Sequence, residues 1–276
     1  MQLLFFLLEA LFAAVLFTVL TSFAICWYEK ANARPELIES RFSLSVLKST
    51  LGMLLLETAS LFGTLLIHPL GYIPLRHKPC PQGATPIILL HGLFQNRICW
   101  WWFALSLKRR GLGPLYSLNL PPWKDVESLT ERLANLVDRL KLDGGGGRVI
   151  LIGHSMGGLI GRNYLQIRGG ATKVQQLITL GSPHGGSRLA PFAVSKMGKD
   201  LLPGSGFLQN LRQAPLPEGV SLIAIYSRHD NLVLPAENGR VEGAQNIEVR
   251  GIGHMGLLYH PRILELVVES LKAEKG

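Results

Sequence analysis

The sequence has few cysteines, few acidic residues and no pattern typical of a metal or nucleic-acid site. Its three cysteines have no histidines at the spacing of zinc ligands, which excludes a structural zinc module. Basic residues number 28 against 19 acidic ones, but apart from Lys108 to Arg110 they are scattered and follow no nucleic-acid-binding motif. We therefore predict no metal, no cofactor and no nucleic-acid partner. The formal net charge of +9 instead favours a membrane surface with anionic lipid headgroups as a partner.

Long apolar runs are what the sequence has in excess, and both lie near its N-terminus. Leu3 to Tyr28 carries only Glu9 as a charge and is long enough to cross a bilayer core of roughly 30 Å. It lacks the basic n-region and the small-residue cleavage site of a signal peptide, so we expect a retained membrane helix. Leu51 to Ile67, with Glu57 as its only charge, is near the lower length limit. This second run spans the membrane, lies in its interface or packs on the folded part.

The charges around the two runs bear on topology. Four basic residues lie between the runs, namely Lys30, Arg34, Arg41 and Lys48. The positive-inside rule places this connection in the cytoplasm, although Arg76 and Lys78 after the second run oppose the argument. We expect residues 1–70 to form a membrane region, with the side of the folded part left open. The proline-rich residues 71–84 are expected to be a linker.

After residue 84, short apolar runs alternate with stretches whose apolar residues recur at helical spacing. Val149 to Ile152 is typical of a strand buried on both faces, and Val126 to Leu142 is the clearest helix. The other predicted strands are Ile87 to Leu90, Leu115 to Leu118, Leu177 to Leu180, Leu222 to Tyr226 and Ile247 to Val249. Residues 85–276 are therefore expected to form one α/β domain, in which helices cover both faces of a mostly parallel sheet.

Residues 188–219 interrupt this alternation. The segment contains several prolines and glycines, and it is too long for an ordinary connection between a strand and a helix. It is either a decorated loop or a cap over a cleft. We predict a cap or lid, because the segment lies between two strands on the side where a functional serine should emerge.

That serine is Ser155, which lies between two glycines in "GHSMG". Gly153 and Gly157 permit a sharp turn from the preceding strand to the following helix, which would expose the hydroxyl at the carboxyl end of the sheet. The alternative is an ordinary turn in which the serine caps the helix. A serine hydroxyl is a poor nucleophile until a base takes its proton, so a catalytic serine requires a histidine and a carboxylate from elsewhere.

The expected base is His254, in the glycine-rich "GIGHMG" after the last strand, with His260 as its nearest rival. The expected carboxylate is Asp230, in a loop at the carboxyl end of the fifth strand, where a side chain can point into the cleft. Asp200 and Glu237 are alternatives to it. The candidate residues then follow in the order serine, aspartate, histidine.

Backbone N–H groups are needed to stabilise an oxyanion. His91-Gly92 ends the first strand of the domain, so that the N–H of Leu93 can face the cleft, and the N–H of Met156 follows the serine directly. We expect His154 to point away from the cleft and His184 to be structural.

With these motifs together, the sequence resembles the α/β-hydrolase superfamily. The stretches "GHSMGGLIGRNY", "ITLGSPHGGS" and "SRHDNLVLP" are similar to bacterial triacylglycerol lipases and their esterase relatives, and the resemblance covers Thr85 to Leu271. It implies an α/β-hydrolase fold and the hydrolysis of lipid or acyl esters through an acyl-enzyme. The implied triad is Ser155, Asp230 and His254, with Leu93 and Met156 as oxyanion donors.

Two features depart from that family. Secreted lipases of this kind carry a cleavable signal, whereas we expect this sequence to retain its first apolar run as a membrane helix. Some of them also hold calcium near the catalytic histidine, whereas this sequence has no paired aspartates for such an ion. An acyltransferase, a thioesterase or a phospholipase would use the same triad. A lipid-binding scaffold without activity is the alternative from a different class.

Overall fold

Six parallel strands form the central sheet of the computed structural model, which describes residues 1–33, 43–74, 78–144 and 147–273. The strands are β1 (Ile87–Leu90), β2 (Leu115–Leu118), β3 (Val149–His154), β4 (Val174–Leu180), β5 (Ser221–Ser227) and β6 (Gln245–Val249). Their order across the sheet is β2-β1-β3-β4-β5-β6, and every neighbouring pair is parallel. The parallel sheet predicted from the sequence is therefore confirmed, including β6, the strand with the weakest signal in the sequence.

Eight α-helices lie within the described residues. They are α1 (Gln2–Ala33), α2 (Leu44–Ile67), α3 (Trp101–Arg109), α4 (Val126–Leu142), α5 (Met156–Gln166), α6 (Lys196–Asp200), α7 (Gly206–Gln213) and α8 (Pro261–Ala273). Side chains alternate along β1, so that Ile87 and Leu89 pack with α3 and α8 on one face, while Ile88 and Leu90 pack with α4 and α5 on the other. Helices cover both faces of the sheet, as predicted.

The last helix begins later than its apolar spacing suggested. Apolar residues recur at helical spacing from Leu257 onward, but Met255–Leu258 forms a short 3₁₀ turn and α8 starts at Pro261. A residue that precedes proline disfavours the helical conformation, whereas proline itself suits the first helical position. The proline therefore separates the loop that contains His254 from α8.

The helices α1 and α2, together called the N-terminal hairpin, pack on each other and on the sheet domain (residues 85–273). Phe12 of α1 meets Phe62 of α2 edge to face, with ring centroids 5.4 Å apart. Buried residues recur at helical spacing on both helices, at Val15, Val19, Ser22 and Cys26 and at Met53, Glu57, Ser60 and Thr64. Of the three placements left open for the second run, the structure shows packing on the folded part.

The outer surface of the hairpin is apolar and exposed. Phe5, Phe6 and Phe17 of α1 and Leu51 and Leu55 of α2 all lie on it. By length and composition, Gln2–Asn32 and Val46–Tyr72 are each able to cross a membrane. Arg34 and Arg41, which entered the topology argument, lie outside the described residues, as do positions 75–77 of the expected linker.

Residues 188–219 contain a short 3₁₀ turn followed by α6 and α7. Leu201, Leu208 and Leu211 are buried against Leu159 of α5, and the partly buried Leu93 packs on the same cluster. In contrast, Phe192 and Val194 are 75% and 92% exposed. The segment thus has an anchored part and an exposed apolar tip.

Candidate active site

Ser155 occupies a strained turn between β3 and α5. Its backbone has φ 53° and ψ −124°, and apart from Phe94 it is the only non-glycine residue with positive φ in the described part of the chain. A Cβ atom at position 157 would lie 2.2 Å from the carbonyl oxygen of Leu90, so only glycine fits there. The side chain of Ser155 makes no capping hydrogen bond to α5. These observations fit the turn that exposes a nucleophilic serine rather than the helix-capping alternative.

Asp230 and His254 meet at the carboxyl end of the sheet. The Nδ1 atom of His254 lies 2.9 Å from Oδ2 and 3.0 Å from Oδ1 of Asp230, and both side chains are buried. Oδ1 also accepts hydrogen bonds from the backbone N–H groups of Leu232 and Val233, at 2.8 and 2.9 Å, which hold the carboxylate in place. Among the three carboxylates considered from the sequence, Asp230 is the one that contacts His254.

The surroundings of His254 favour its protonated form. Burial lowers the pKa of this imidazole, but the Asp230 carboxylate, through its charge and its hydrogen bond, raises it by more, and the charge of Glu57 adds to the increase. The net result is a pKa above the usual value. Because Nδ1 faces Asp230, Nε2 lies on the opposite side of the ring and is the nitrogen available for proton transfer.

His154 was expected to point away from the cleft, but its buried ring packs against the ring of His254, with centroids 4.7 Å apart. Its Nε2 lies 3.1 Å from the carbonyl oxygen of His254, within hydrogen-bond distance. Burial and the neighbouring His254 lower the pKa of His154 well below its usual value, which keeps the ring neutral. The residue before Ser155 therefore holds the histidine loop beside the serine turn.

The loop after β1 approaches the serine closely. A Cβ atom at Gly92 would lie 2.9 Å from Cβ of Ser155, so the adjacent Leu93 is next to the serine turn. The N–H of Met156 is in the first turn of α5, where helix geometry leaves N–H groups without an intrahelical partner. The loop that contains Leu93 and the first turn of α5 therefore both lie beside Ser155.

Gln95 and Phe94 belong to this loop and were not found from the sequence. The Oε1 atom of Gln95 accepts from the N–H of Gly92 at 3.2 Å, and its Nε2 lies 2.7 Å from the sulfur of Met255. Gln95 therefore links the loop after β1 to the residue after His254. Phe94 has φ 58° and an exposed ring. Neither residue type has a spacing rule that would have revealed it.

Two other buried histidines support the site without facing it. Nε2 of His91 accepts from the N–H of Leu120 at 2.8 Å, and burial lowers the pKa of this imidazole to about 4. His184 lies 3.0 Å from the hydroxyl of Thr179 and 3.3 Å from the guanidinium of Arg162, and burial followed by the charge of that arginine lowers its pKa. Both rings stay neutral and fix loops, which agrees with the structural role expected for His184.

The N-terminal hairpin also reaches the site, which the sequence did not indicate. Glu57 accepts from the N–H groups of Met255 and Gly256, at 2.8 and 2.9 Å. The N–H of His254 donates to Oδ1 of Asn231 at 2.9 Å, and Nδ2 of Asn231 donates to the hydroxyl of Ser22 at 2.8 Å. In the sequence, the only sign of this contact was a single acidic residue, Glu57, inside an apolar helix. Nothing in the sequence indicated the contact between Ser22 and Asn231.

At the site an imidazole is hydrogen-bonded to a carboxylate, and a serine hydroxyl and backbone N–H groups belong to the turns beside them. Within the described residues, no group of three or more His, Cys, Asp or Glu side chains is arranged to hold a metal ion. The arrangement can take a proton from a hydroxyl, hold the resulting imidazolium and stabilise a negative charge on a neighbouring oxygen.

Similar proteins are found in one enzyme family. Residues 87–231 match the model of the alpha/beta hydrolase family. The triacylglycerol lipase of Pseudarthrobacter phenanthrenivorans is 30% identical over 123 residues, which are 42% of this chain and 38% of the relative. The triacylglycerol lipase of Burkholderia plantarii is also 30% identical over 123 residues, covering 42% of this chain and 34% of the relative. The chain thus matches little more than a third of the length of these curated relatives.

Among solved structures, the mature form of Bacillus licheniformis lipase BlEst2 has a similar fold. Its TM-score is 0.61 at 22% sequence identity, and the match covers 73% of this chain and 98% of that structure. At this level of identity the likeness shows a shared fold.

Proposed function

The chain belongs to the alpha/beta hydrolase family, and from that premise we propose that it is a serine hydrolase of carboxylic esters. The observation that carries the proposal is the convergence of two features. Asp230 is hydrogen-bonded to His254, and the ring of His254 packs on His154, directly before the strained turn of Ser155. These two features support the roles of nucleophile, base and orienting acid for Ser155, His254 and Asp230.

In the proposed reaction, Nε2 of His254 takes the proton of the Ser155 hydroxyl as its oxygen attacks the acyl carbonyl carbon. Asp230 holds the imidazole and stabilises its charged form, while the N–H groups of Leu93 and Met156 stabilise the oxyanion. Collapse of the intermediate releases the alcohol, which takes the proton from His254. Water then attacks the acyl-enzyme with His254 as its base, and the carboxylic acid leaves.

We infer that the substrate is a lipid or another long-chain acyl ester. The curated relatives are triacylglycerol lipases. The exposed apolar tip at Phe192 and Val194 belongs to the segment whose buried cluster packs on Leu93, beside the proposed oxyanion site. Such a segment can cover an acyl-binding groove and exclude water when closed.

We also infer that the protein acts at a membrane. The outer surface of the N-terminal hairpin presents a continuous set of exposed Leu, Phe and Val side chains, which is typical of contact with lipid rather than with water. The net charge of +9 would add attraction to anionic headgroups. The substrate and the hairpin would then be brought to the same surface.

The test is a panel of esters with short and long acyl chains, assayed with the full chain in detergent together with a fluorophosphonate probe. Ser155→Ala should lose probe labelling and at least about 10⁴-fold in kcat, and adding a His254 substitution should cost little more because the residues act as a unit. Asp230→Ala should be somewhat less damaging, and Glu237→Ala should have little effect. Full activity in Ser155→Ala would reject the mechanism.

The same panel separates the related chemistries. Faster release of product in the presence of a second alcohol would indicate acyl transfer, and a preference for thioesters or for phospholipids would indicate the corresponding class. A wild-type protein that binds lipid but neither reacts with the probe nor hydrolyses any ester would indicate a scaffold instead.

A further inference from the structure

Glu57 is an acidic side chain in the middle of an apolar helix, and it has specific partners on the sheet domain. The residue is 1% exposed. Its Oε1 accepts from the N–H of Met255 at 2.8 Å, and its Oε2 accepts from the N–H of Gly256 at 2.9 Å. A buried carboxylate is costly unless it is hydrogen-bonded, so these two N–H groups determine where the side chain can lie. Both of them directly follow His254 in the chain.

The histidine loop is shaped to receive this carboxylate. A Cβ atom at Gly253 would lie 2.5 Å from Oε2 of Glu57, so only a residue without a side chain allows the close approach. Glu57 therefore touches the chain on both sides of His254. A shift of the loop by one residue or by about 1 Å would break both hydrogen bonds.

The other helix of the hairpin supports the same stretch of backbone. The N–H of His254 donates to Asn231 at 2.9 Å, and Asn231 in turn donates to the hydroxyl of Ser22 in α1 at 2.8 Å. Two of the three successive N–H groups, those of residues 255 and 256, are thus held directly by the hairpin, and that of residue 254 is held by Asn231 of the sheet domain, which the hairpin contacts through Ser22.

Glu57 also acts on the imidazole through its charge. The titratable groups that face His254 come from three elements: Asp230 after β5, His154 at the end of β3 and Glu57 in α2. His154 is kept neutral by burial, so Asp230 supplies most of the negative charge that opposes the effect of burial on the pKa of His254, and Glu57, whose own pKa burial raises to about 7, adds to it when it is ionised. Removal of one of them should lower that pKa.

From these contacts we propose that Glu57 is a positioning residue for the catalytic base: it fixes the backbone around His254, keeps the imidazole aligned with Ser155 and helps to stabilise its charged form. The inference rests on the proposed function. It makes the N-terminal hairpin a working part of the active site in addition to a means of membrane attachment.

The decisive variant is Glu57→Gln in the full chain. Glutamine has the same shape, but it carries no charge and turns one NH₂ group toward a backbone N–H donor. We expect kcat for a short soluble ester to fall by about 10- to 100-fold with little change in KM, since a displacement of about 1 Å at a catalytic group has effects of this size. The acidic limb of the kcat/KM profile should move to lower pH, because His254 loses a neighbouring negative charge.

The matched control is Thr64→Val, two turns further along the same buried stripe of α2. Thr64 contacts the hydroxyl of Tyr259 at 2.6 Å, so this variant removes a polar contact between hairpin and domain without touching residues 254–256. Its melting temperature can fall, but the acidic limb should stay in place and the kcat of the folded protein should stay within about two-fold of wild type, in line with the modest worth of a single hydrogen bond.

A milder variant covers the case in which Glu57→Gln does not fold. Ser22→Ala removes the partner of Asn231, and we expect a fall in kcat of about three- to ten-fold through loss of one hydrogen bond in the same chain of contacts. Glu57→Asp, whose shorter side chain keeps the carboxylate but cannot reach both N–H groups, completes the test, and unchanged kcat in folded Glu57→Asp protein would overturn the proposal.

Folded Glu57→Gln protein with wild-type kcat would also overturn the proposal. So would a variant whose activity falls only in proportion to the amount of folded protein, while the acidic limb of its kcat/KM profile stays at the wild-type pH. Ser155→Ala, measured in the same detergent, keeps the two proposals apart. If Ser155→Ala is inactive while Glu57→Gln is normal, the positioning role alone is wrong. If Ser155→Ala is active, the proposed function itself fails.

Discussion

The N-terminal hairpin and the sheet domain are both rich in apolar residues, but most of the large ones in the hairpin are exposed, whereas most of those in the domain are buried in its core. In the sheet domain, residues such as Ile88 and Leu151 lie in the core, where their removal from water drives folding. In the hairpin, Phe17 and Leu55 face outward, whereas polar groups such as Glu57 face the domain. The domain is therefore held together by buried apolar area, and the hairpin is fastened to it in part by hydrogen bonds.

This difference indicates that the two faces of the hairpin have different roles. The outer face is left for lipid, and the inner face holds the loop that carries the proposed catalytic base. Substitutions on the two faces should therefore have separable effects: those on the outer face should change how much protein binds to membranes, and those on the inner face should change the proposed hydrolase activity. The following predictions test that separation, beginning with the largest expected effect.

The double variant Phe5→Glu/Phe17→Glu changes only the outer face. Burying a phenylalanine side chain is worth about 1.5–3 kcal/mol, so loss of both should weaken binding to vesicles by at least about 10²-fold. Flotation with vesicles of mixed neutral and anionic lipids measures this. Activity on a short soluble ester should stay at the wild-type level, and Glu57→Gln, the inner-face variant, should bind vesicles normally. Equal vesicle binding by wild type and double variant would show that the outer face is not the lipid contact.

The second prediction concerns residues 188–219, the segment proposed to cover the acyl-binding groove. Because Leu201, Leu208 and Leu211 of this segment are buried, deleting it would damage the fold as well as any lid, so the exposed tip is the better target. Phe192→Ser/Val194→Ser should lower kcat/KM for a long-chain ester by about ten-fold through lost apolar contact, and leave the short ester unchanged. A parallel fall for both esters, or no change in either, would argue against a role of the tip in acyl binding.

The smallest effect is expected at the ion pair between Glu29 of α1 and Arg188, which also joins hairpin and domain. Both side chains are partly exposed to solvent, so Glu29→Ala should lower the free energy of unfolding by less than about 1 kcal/mol. Thermal unfolding of the two proteins in low salt measures it, and kcat should not change. A large loss of activity in Glu29→Ala would mean that weakening any contact between hairpin and domain impairs the site. The effect of Glu57→Gln would then not be specific to Glu57.

Much of the sheet domain could be predicted because its signals are local. Strands β1 and β2 and helix α4 begin and end where their apolar patterns do, and the turn at Ser155 follows from the glycines around it. The pairing of Asp230 with His254 was also expected, since loops at the carboxyl ends of parallel strands gather at one edge of a sheet. The orientation of His154 was missed, because a turn pattern does not specify how the neighbouring ring packs.

The sequence by itself determined the order of strands and helices, the serine turn and the two long apolar helices, because periodicity and glycine placement act over a few residues. Only the tertiary structure decided that the second helix lies on the domain and that Glu57 meets the N–H groups of Met255 and Gly256, which are 198 and 199 positions away. Apolar helices of this length suit both lipid and a protein surface, so their composition does not say which face docks or where. That choice depends on the unpaired N–H groups of a distant loop, which exist as a binding surface only once the sheet has brought the loop into place.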